Sequence, residues 1–121
     1  MVTRKDIETE INGYLKALAG IGFSFQKAFL FGSYVRGNPC QYSDIDLAVW
    51  SDAFAEDYFT IMEKVVPLRR SFKNIELHPF SLEDNTENNP FINEIEKTGV
   101  VIMPGEEFSF SKLDELKVSG I

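Results

Sequence analysis

The chain of 121 residues contains a single cysteine, Cys40, and no apolar run that approaches the length of a membrane span. One cysteine excludes an internal disulfide and leaves no second thiolate for a zinc site, so Cys40 reads as an ordinary loop residue. A spanning helix needs about 20 consecutive apolar residues, and the N-terminus, Met1-Val-Thr-Arg-Lys-Asp-Ile, turns charged at once instead of leading into an apolar signal segment. A soluble, cytoplasmic protein with no membrane contact is expected. Positive charge is scarce as well: 12 Lys and Arg against 19 Asp and Glu leave a formal net charge of -7. Tight binding of a nucleic-acid backbone rests on lysine and arginine displacing counterions, so no long nucleic acid is expected as a partner. Internal repeats and low-complexity tracts are absent too. What is present, 44% hydrophobic residues in a chain of this length, suffices for one packed core.

Apolar periodicity then places the elements. Thr3 caps a first helix with Asp6 three places on, and Ile7, Ile11, Tyr14, Leu15 and Leu18 recur at helical spacing until Gly20 and Gly22. Residues 27–31 read as a short buried strand that runs into Gly32-Ser33, where a second helix should start. Residues 38–43, with Pro39, read as a loop, and 44–50 as a second strand. A third helix is expected from Asp52 to Val66, with Phe59, Met62 and Val66 inward and Pro67 as its stop. Residues 74–80 form a third strand, Asn89-Pro90 starts a helix carrying Phe91, Ile92 and Ile95, and 100–103 close with a last strand after Gly99. The result is an α/β domain over 1–105, a small mixed sheet flanked by helices. Residues 106–121 are left as a tail in which Phe108, Phe110, Leu113 and Leu116 pack on the domain or on a partner.

Three acids stand out against this frame. Side chains alternate along a strand, so Asp44 and Asp46 point away from the side of Ile45, Leu47 and Val49. Two carboxylates on one face repel each other and call for a cation. Magnesium is the natural one, because it takes oxygen ligands from one or two carboxylates and completes its shell with water and phosphate. An isolated Asp-x-Asp is more readily a turn residue and an exposed strand end. Glu76 shifts the balance, because it sits mid-strand between Ile75 and Leu77, and on a neighbouring strand it supplies a third carboxylate. His78 shares its face, in reach of a substrate or as a structural side chain. The Gly32-Ser33 corner offers what an anion needs, a glycine that lets backbone approach and a helix start with free amides, while Arg36 lies one turn on and Gly37 ends that turn. Gly-Ser, ten residues and Asp-x-Asp should recur together by chance in about one chain in a thousand of this length.

These residues resemble the nucleotidyltransferase superfamily related to DNA polymerase β, whose signature is Gly-Ser, about ten residues, then Asp-x-Asp. The Arg-Gly after Gly32-Ser33 and Ser43 directly before Asp44 are similar to its minimal members, several of which are antitoxins paired with helical HEPN toxins. The resemblance implies a polymerase β palm-like fold, Asp44, Asp46 and Glu76 as catalytic metal ligands for magnesium, two ions in all, and Gly32, Ser33, Arg36 and Ser43 as binders of ATP or another nucleoside triphosphate. It also implies transfer of a nucleoside monophosphate to a hydroxyl of a HEPN-type partner. The family commonly has aspartate where Glu76 stands. A partner subunit that acts by binding alone, or transfer to a small molecule, are the alternatives, and the oligomeric state, a homo-oligomer included, stays open.

Overall fold

The computed structural model describes residues 3–32 and 44–111. Helix α1 (Arg4–Gly20) opens with the expected capping box, in which the Asp6 amide donates to Thr3 Oγ1 and the Thr3 amide to Asp6 Oδ2. Those bonds also hold the Asp6 carboxyl below its ordinary value, the backbone bond from Thr3 first. The helix ends with the amides of Gly22 and Phe23 donating back to the carbonyls of Ala19 and Leu18, and Gly22 at φ +83°. Phe23 and Leu18, both buried, close that turn, the hydrophobic contact such a glycine-capped end favours.

Four strands follow: β1 (Lys27–Phe31), β2 (Ile45–Trp50), β3 (Ile75–Phe80) and β4 (Val100–Ile102). Their order is β3-β2-β1-β4, with β1 antiparallel to β2 and β4, and β3 parallel to β2. The sheet is covered on both faces. On one, Leu47, Val49 and Ile102 pack with Ile7, Ile11 and Leu18 of α1. On the other, Ala48, Trp50 and Phe80 lie under Ile92 and Ile95 of the helix over residues 90–98, and Trp50 stacks on Phe80 at 4.7 Å between ring centroids. The face that carries Asp46 is therefore not the outside of the sheet: two residues further along β2 it is core.

The stretch from Asp52 corrects the sequence-based expectation. Instead of one helix there are two, α2 (Ala53–Glu56) and α3 (Tyr58–Val65), broken at Asp57 with φ -152°. The second ends at Val65, just ahead of Pro67 as expected, and the chain tightens into a 3-10 segment, Val66–Arg70, with Pro67 in its first turn. The break resets the helical phase. Val65 is buried with Ile61 and Met62 beside it, while Phe59 is 81% exposed and Val66 45%, so of the three side chains expected inward only Met62 is partly so. After β3 comes α4 (Pro90–Thr98), capped by the Asn89 side chain on the Phe91 amide, with Pro90 at its first position. The tail packs back on α1. Phe108 and Phe110 are buried, Asn12 bonds both the amide and the carbonyl of Phe108 at 2.7 and 3.0 Å, and Glu8 accepts from the Phe110 amide. Leu113 and Leu116 lie outside the described residues, as does the helix expected after Gly32. Among the described residues no helix is long and apolar enough to cross a membrane.

Candidate active site

The start of β3 is tied to α1 before it meets β2. Glu10 accepts from the Asn74 amide at 2.9 Å and from its side-chain nitrogen at 2.8 Å, and the Asn74 carbonyl accepts from the Ile45 amide at 2.7 Å. This sets a parallel register in which Asp46 stands opposite Glu76 and Ala48 opposite His78, while β1 brings Phe31 opposite Asp46 from the other side. Alternation then points Asp46, Glu76 and His78 to one face. One ligand atom from each lies within 4.8 Å of the other two.

Asp46 is oriented from two sides. His78 Nε2 lies 3.2 Å from Oδ1, and the imidazole is held edge-on against Phe31, 5.0 Å between centroids, with Phe91 of α4 behind it at 6.4 Å. The other oxygen, Oδ2, faces Gly32. That residue has φ +86°, and a Cβ placed there would fall on Oδ2 and come within 3.2 Å of Cγ. Glycine is thus required twice, once by a left-handed backbone and once by the carboxylate it makes room for. The side chains of Asp46 and His78 are 22% and 26% exposed, Glu76 is exposed, and no cation pairs with Glu76 among the described residues.

Of the residues expected from sequence, Gly32, Asp46 and Glu76 are thus brought together. Asp44 stands one residue before β2, exposed and outside the three-membered group. With Glu76 it borders a cavity of about 370 Å³ on the α1 side of β3, which does not enclose Asp46 or His78. Ser33, Arg36 and Ser43 lie outside the described residues. The residue underweighted by sequence is His78, and the signal was its position, two residues from an unexplained acid on the same strand face.

The polymerase β nucleotidyltransferase family model matches residues 11–107, four fifths of the chain, and spans the whole arrangement from α1 to the tail. The chain belongs to the polymerase β nucleotidyltransferase family. Three solved structures share this nucleotidyltransferase fold. A presumed nucleotidyltransferase from Sulfolobus solfataricus is 18% identical, with a TM-score of 0.61 and 87% of each chain covered. Two variants of the toxin-antitoxin MntA-HpeT are each 21% identical. One has two aspartates replaced by glutamates and a TM-score of 0.51, with 93% of this chain and 82% of that one covered. The other has a tyrosine replaced by alanine and a TM-score of 0.53, with 90% and 87% covered. No curated protein matches the chain at a significant level.

Nucleotidyltransferases of this family work on nucleoside triphosphates with a divalent metal, and the donor set here suits magnesium. Asp46 Oδ2 and the Glu76 carboxylate are hard oxygen ligands, two being as many as such a site commonly takes from the protein. The imidazole is a poorer ligand for magnesium, but with Nε2 protonated it donates to Asp46 Oδ1 and fixes the carboxylate.

Proposed function

We propose that this nucleotidyltransferase moves a nucleoside monophosphate, most simply AMP from ATP, onto a hydroxyl of a protein partner, and that the partner is a helical toxin of the HEPN kind. The supporting observation is the meeting of Gly32, Asp46, Glu76 and His78 at one end of the sheet: a phosphate-approachable corner directly beside oriented carboxylates. The likeness to MntA-HpeT structures supports the choice of partner.

In this reading Asp46 and Glu76 would hold magnesium, with Asp44 as the further ligand that the family resemblance implies, and the ion when bound would neutralise the triphosphate and lower the pKa of the incoming hydroxyl. By the family resemblance, Gly32 and Ser33 would seat the β- and γ-phosphates, with Ser43 as a further binder and Arg36 offsetting their charge. The acceptor oxygen attacks the α-phosphorus in line and pyrophosphate leaves from the opposite side. Glu76, exposed and free of a paired cation among the described residues, is placed to take the hydroxyl proton. His78 keeps one oxygen of Asp46 occupied so that the other faces the corner. Positioning and electrostatics carry most of the acceleration.

The test mixes the purified chain, its genomic neighbour's product and α-labelled ATP with magnesium, beside an Asp44→Asn/Asp46→Asn variant and partner-free controls. Label on the partner, absent with the variant, is expected. A second reading, inhibition by contact alone, draws on the exposed Tyr58 and Phe59 of α3. It gains if no label moves although both forms bind the partner equally.

A further inference from the structure

The cavity beside Glu76 has a composition that the triphosphate site does not use. Tyr14 is 3% exposed, its hydroxyl has no hydrogen-bond partner among the described residues, and no polar side-chain atom is sealed from solvent without one, so that hydroxyl opens into the cavity it lines. A hydroxyl open to a cavity is free to bond water or a ligand there. Burial pushes its pKa up to about 12, which keeps it a neutral donor.

Arg69 and Lys73 border the same cavity. They belong to a stretch, 63–73, with four cations (Lys64, Arg69, Arg70, Lys73) against one carboxylate, in a chain whose net charge is -7. Among the described residues neither Arg69 nor Lys73 has an ion-pair partner. A hydroxyl, a guanidinium and an ammonium thus line one cavity, and each is a donor suited to an anionic group. Asp44 and Glu76 border the same cavity and would repel a polyphosphate strand, so a single carboxylate fits better than a nucleic-acid backbone. Phe59, Met62 and Val66 lie at i, i+3 and i+7, and Met62 and Val66 reach the cavity wall. This row, with Phe59 and Val66 exposed and Met62 partly buried, lies beside the cavity and suits the side chains of a peptide. The cavity is separate from the Gly32 corner: in the order β3-β2-β1-β4 the corner leaves β1, whereas the cavity lies at β3, the edge strand that carries Glu76.

We propose that this cavity is the acceptor-side recognition site for an acidic peptide segment, whose carboxylate is bound by Tyr14, Arg69 and Lys73 while a neighbouring hydroxyl-bearing residue of the same segment reaches Glu76. The word acceptor rests on the nucleotidyl-transfer reading above; the binding does not.

Fluorescence anisotropy of the full chain with three labelled probes tests it: a short peptide with one tyrosine flanked by glutamates, its glutamine analogue, and an oligoadenylate. The glutamate peptide is expected to bind up to about tenfold tighter than the glutamine analogue, the yield of two exposed charge pairs, since the glutamine amide still accepts from the Tyr14 hydroxyl. Arg69→Ala/Lys73→Ala removes that preference with an unchanged melting temperature, Tyr14→Phe weakens binding severalfold, and a non-hydrolysable ATP analogue with magnesium leaves the peptide bound. Equal binding of the two peptides, preference for the oligoadenylate, or displacement by the nucleotide analogue would each overturn the proposal. If the peptide binds as expected but takes no label from α-labelled ATP, nucleotidyl transfer to this acceptor class fails while the recognition site stands.

Discussion

Replacing Gly32 by alanine separates two roles that coincide at one residue. The first is conformational: φ +86° places Gly32 in the left-handed region, where a Cβ costs about 1–2 kcal/mol. For a domain of this size that lowers the melting temperature by about 3–10 °C. The second is specific to the site. The new Cβ would clash with Asp46 Oδ2, so the carboxylate must shift, and its His78 bond through Oδ1 must adjust with it. A reacting group misplaced by about an ångström costs on the order of 10²-fold in rate. Gly22 supplies the control. It has nearly the same φ, +83°, but nothing within 4 Å of its added Cβ, so Gly22→Ala carries the backbone cost alone. Thermal melts and single-turnover transfer from α-labelled ATP should show both variants destabilised to a similar degree, and only Gly32→Ala inactive. If Gly32→Ala keeps its rate while melting like Gly22→Ala, Asp46 is not held at the corner and the argument for the site fails.

Three further outcomes follow from particular contacts. His78→Ala should weaken manganese binding, followed by electron paramagnetic resonance, about 10–100-fold, and His78→Gln should recover part of that; unchanged affinity would leave the 3.2 Å contact to Asp46 without a role. In urea melts Phe59→Ser should change stability by no more than about 0.5 kcal/mol, whereas Val65→Ala should cost roughly 2 kcal/mol, because Phe59 is 81% exposed and Val65 2%. The reverse order would restore the single helix expected from the sequence. Tyr14 titrates at about 12 in the folded chain because burial disfavours its phenolate, against 10.0 when unfolded. The folded state therefore holds its proton longer, and the contribution is fully present below pH 10 and lost as pH rises through 12, up to roughly 3 kcal/mol. Tyr14→Phe should flatten the fall of the urea midpoint between pH 10 and 12, and a fall of equal slope in both proteins would assign it to other groups.

Local signals carried much of the architecture because they depend on neighbours a few residues apart. The five residues expected on the inner face of α1 are the ones buried, β1 runs over the expected residues 27–31, and Asn89-Pro90 and Gly99 bound α4 as helix-end chemistry dictates. Where the signal was ambiguous, it failed. Phe59, Met62 and Val66 have a helical spacing as regular as that of α1, but the break at Asp57 turns that face outward, and nothing in the spacing says which face a partner element will cover.

The sequence by itself determined the family, through Gly32-Ser33 and Asp44-Ile-Asp46, and singled out Glu76 as an acid needing an explanation. Only the tertiary structure decided which of these residues meet. Parallel pairing of β2 with β3, anchored by Glu10 and Asn74, sets Glu76 beside Asp46, adds His78 and leaves Asp44 outside the group. Strand register between segments thirty residues apart is set by long-range hydrogen bonds and by packing on both faces of the sheet, and neither is written in any local pattern.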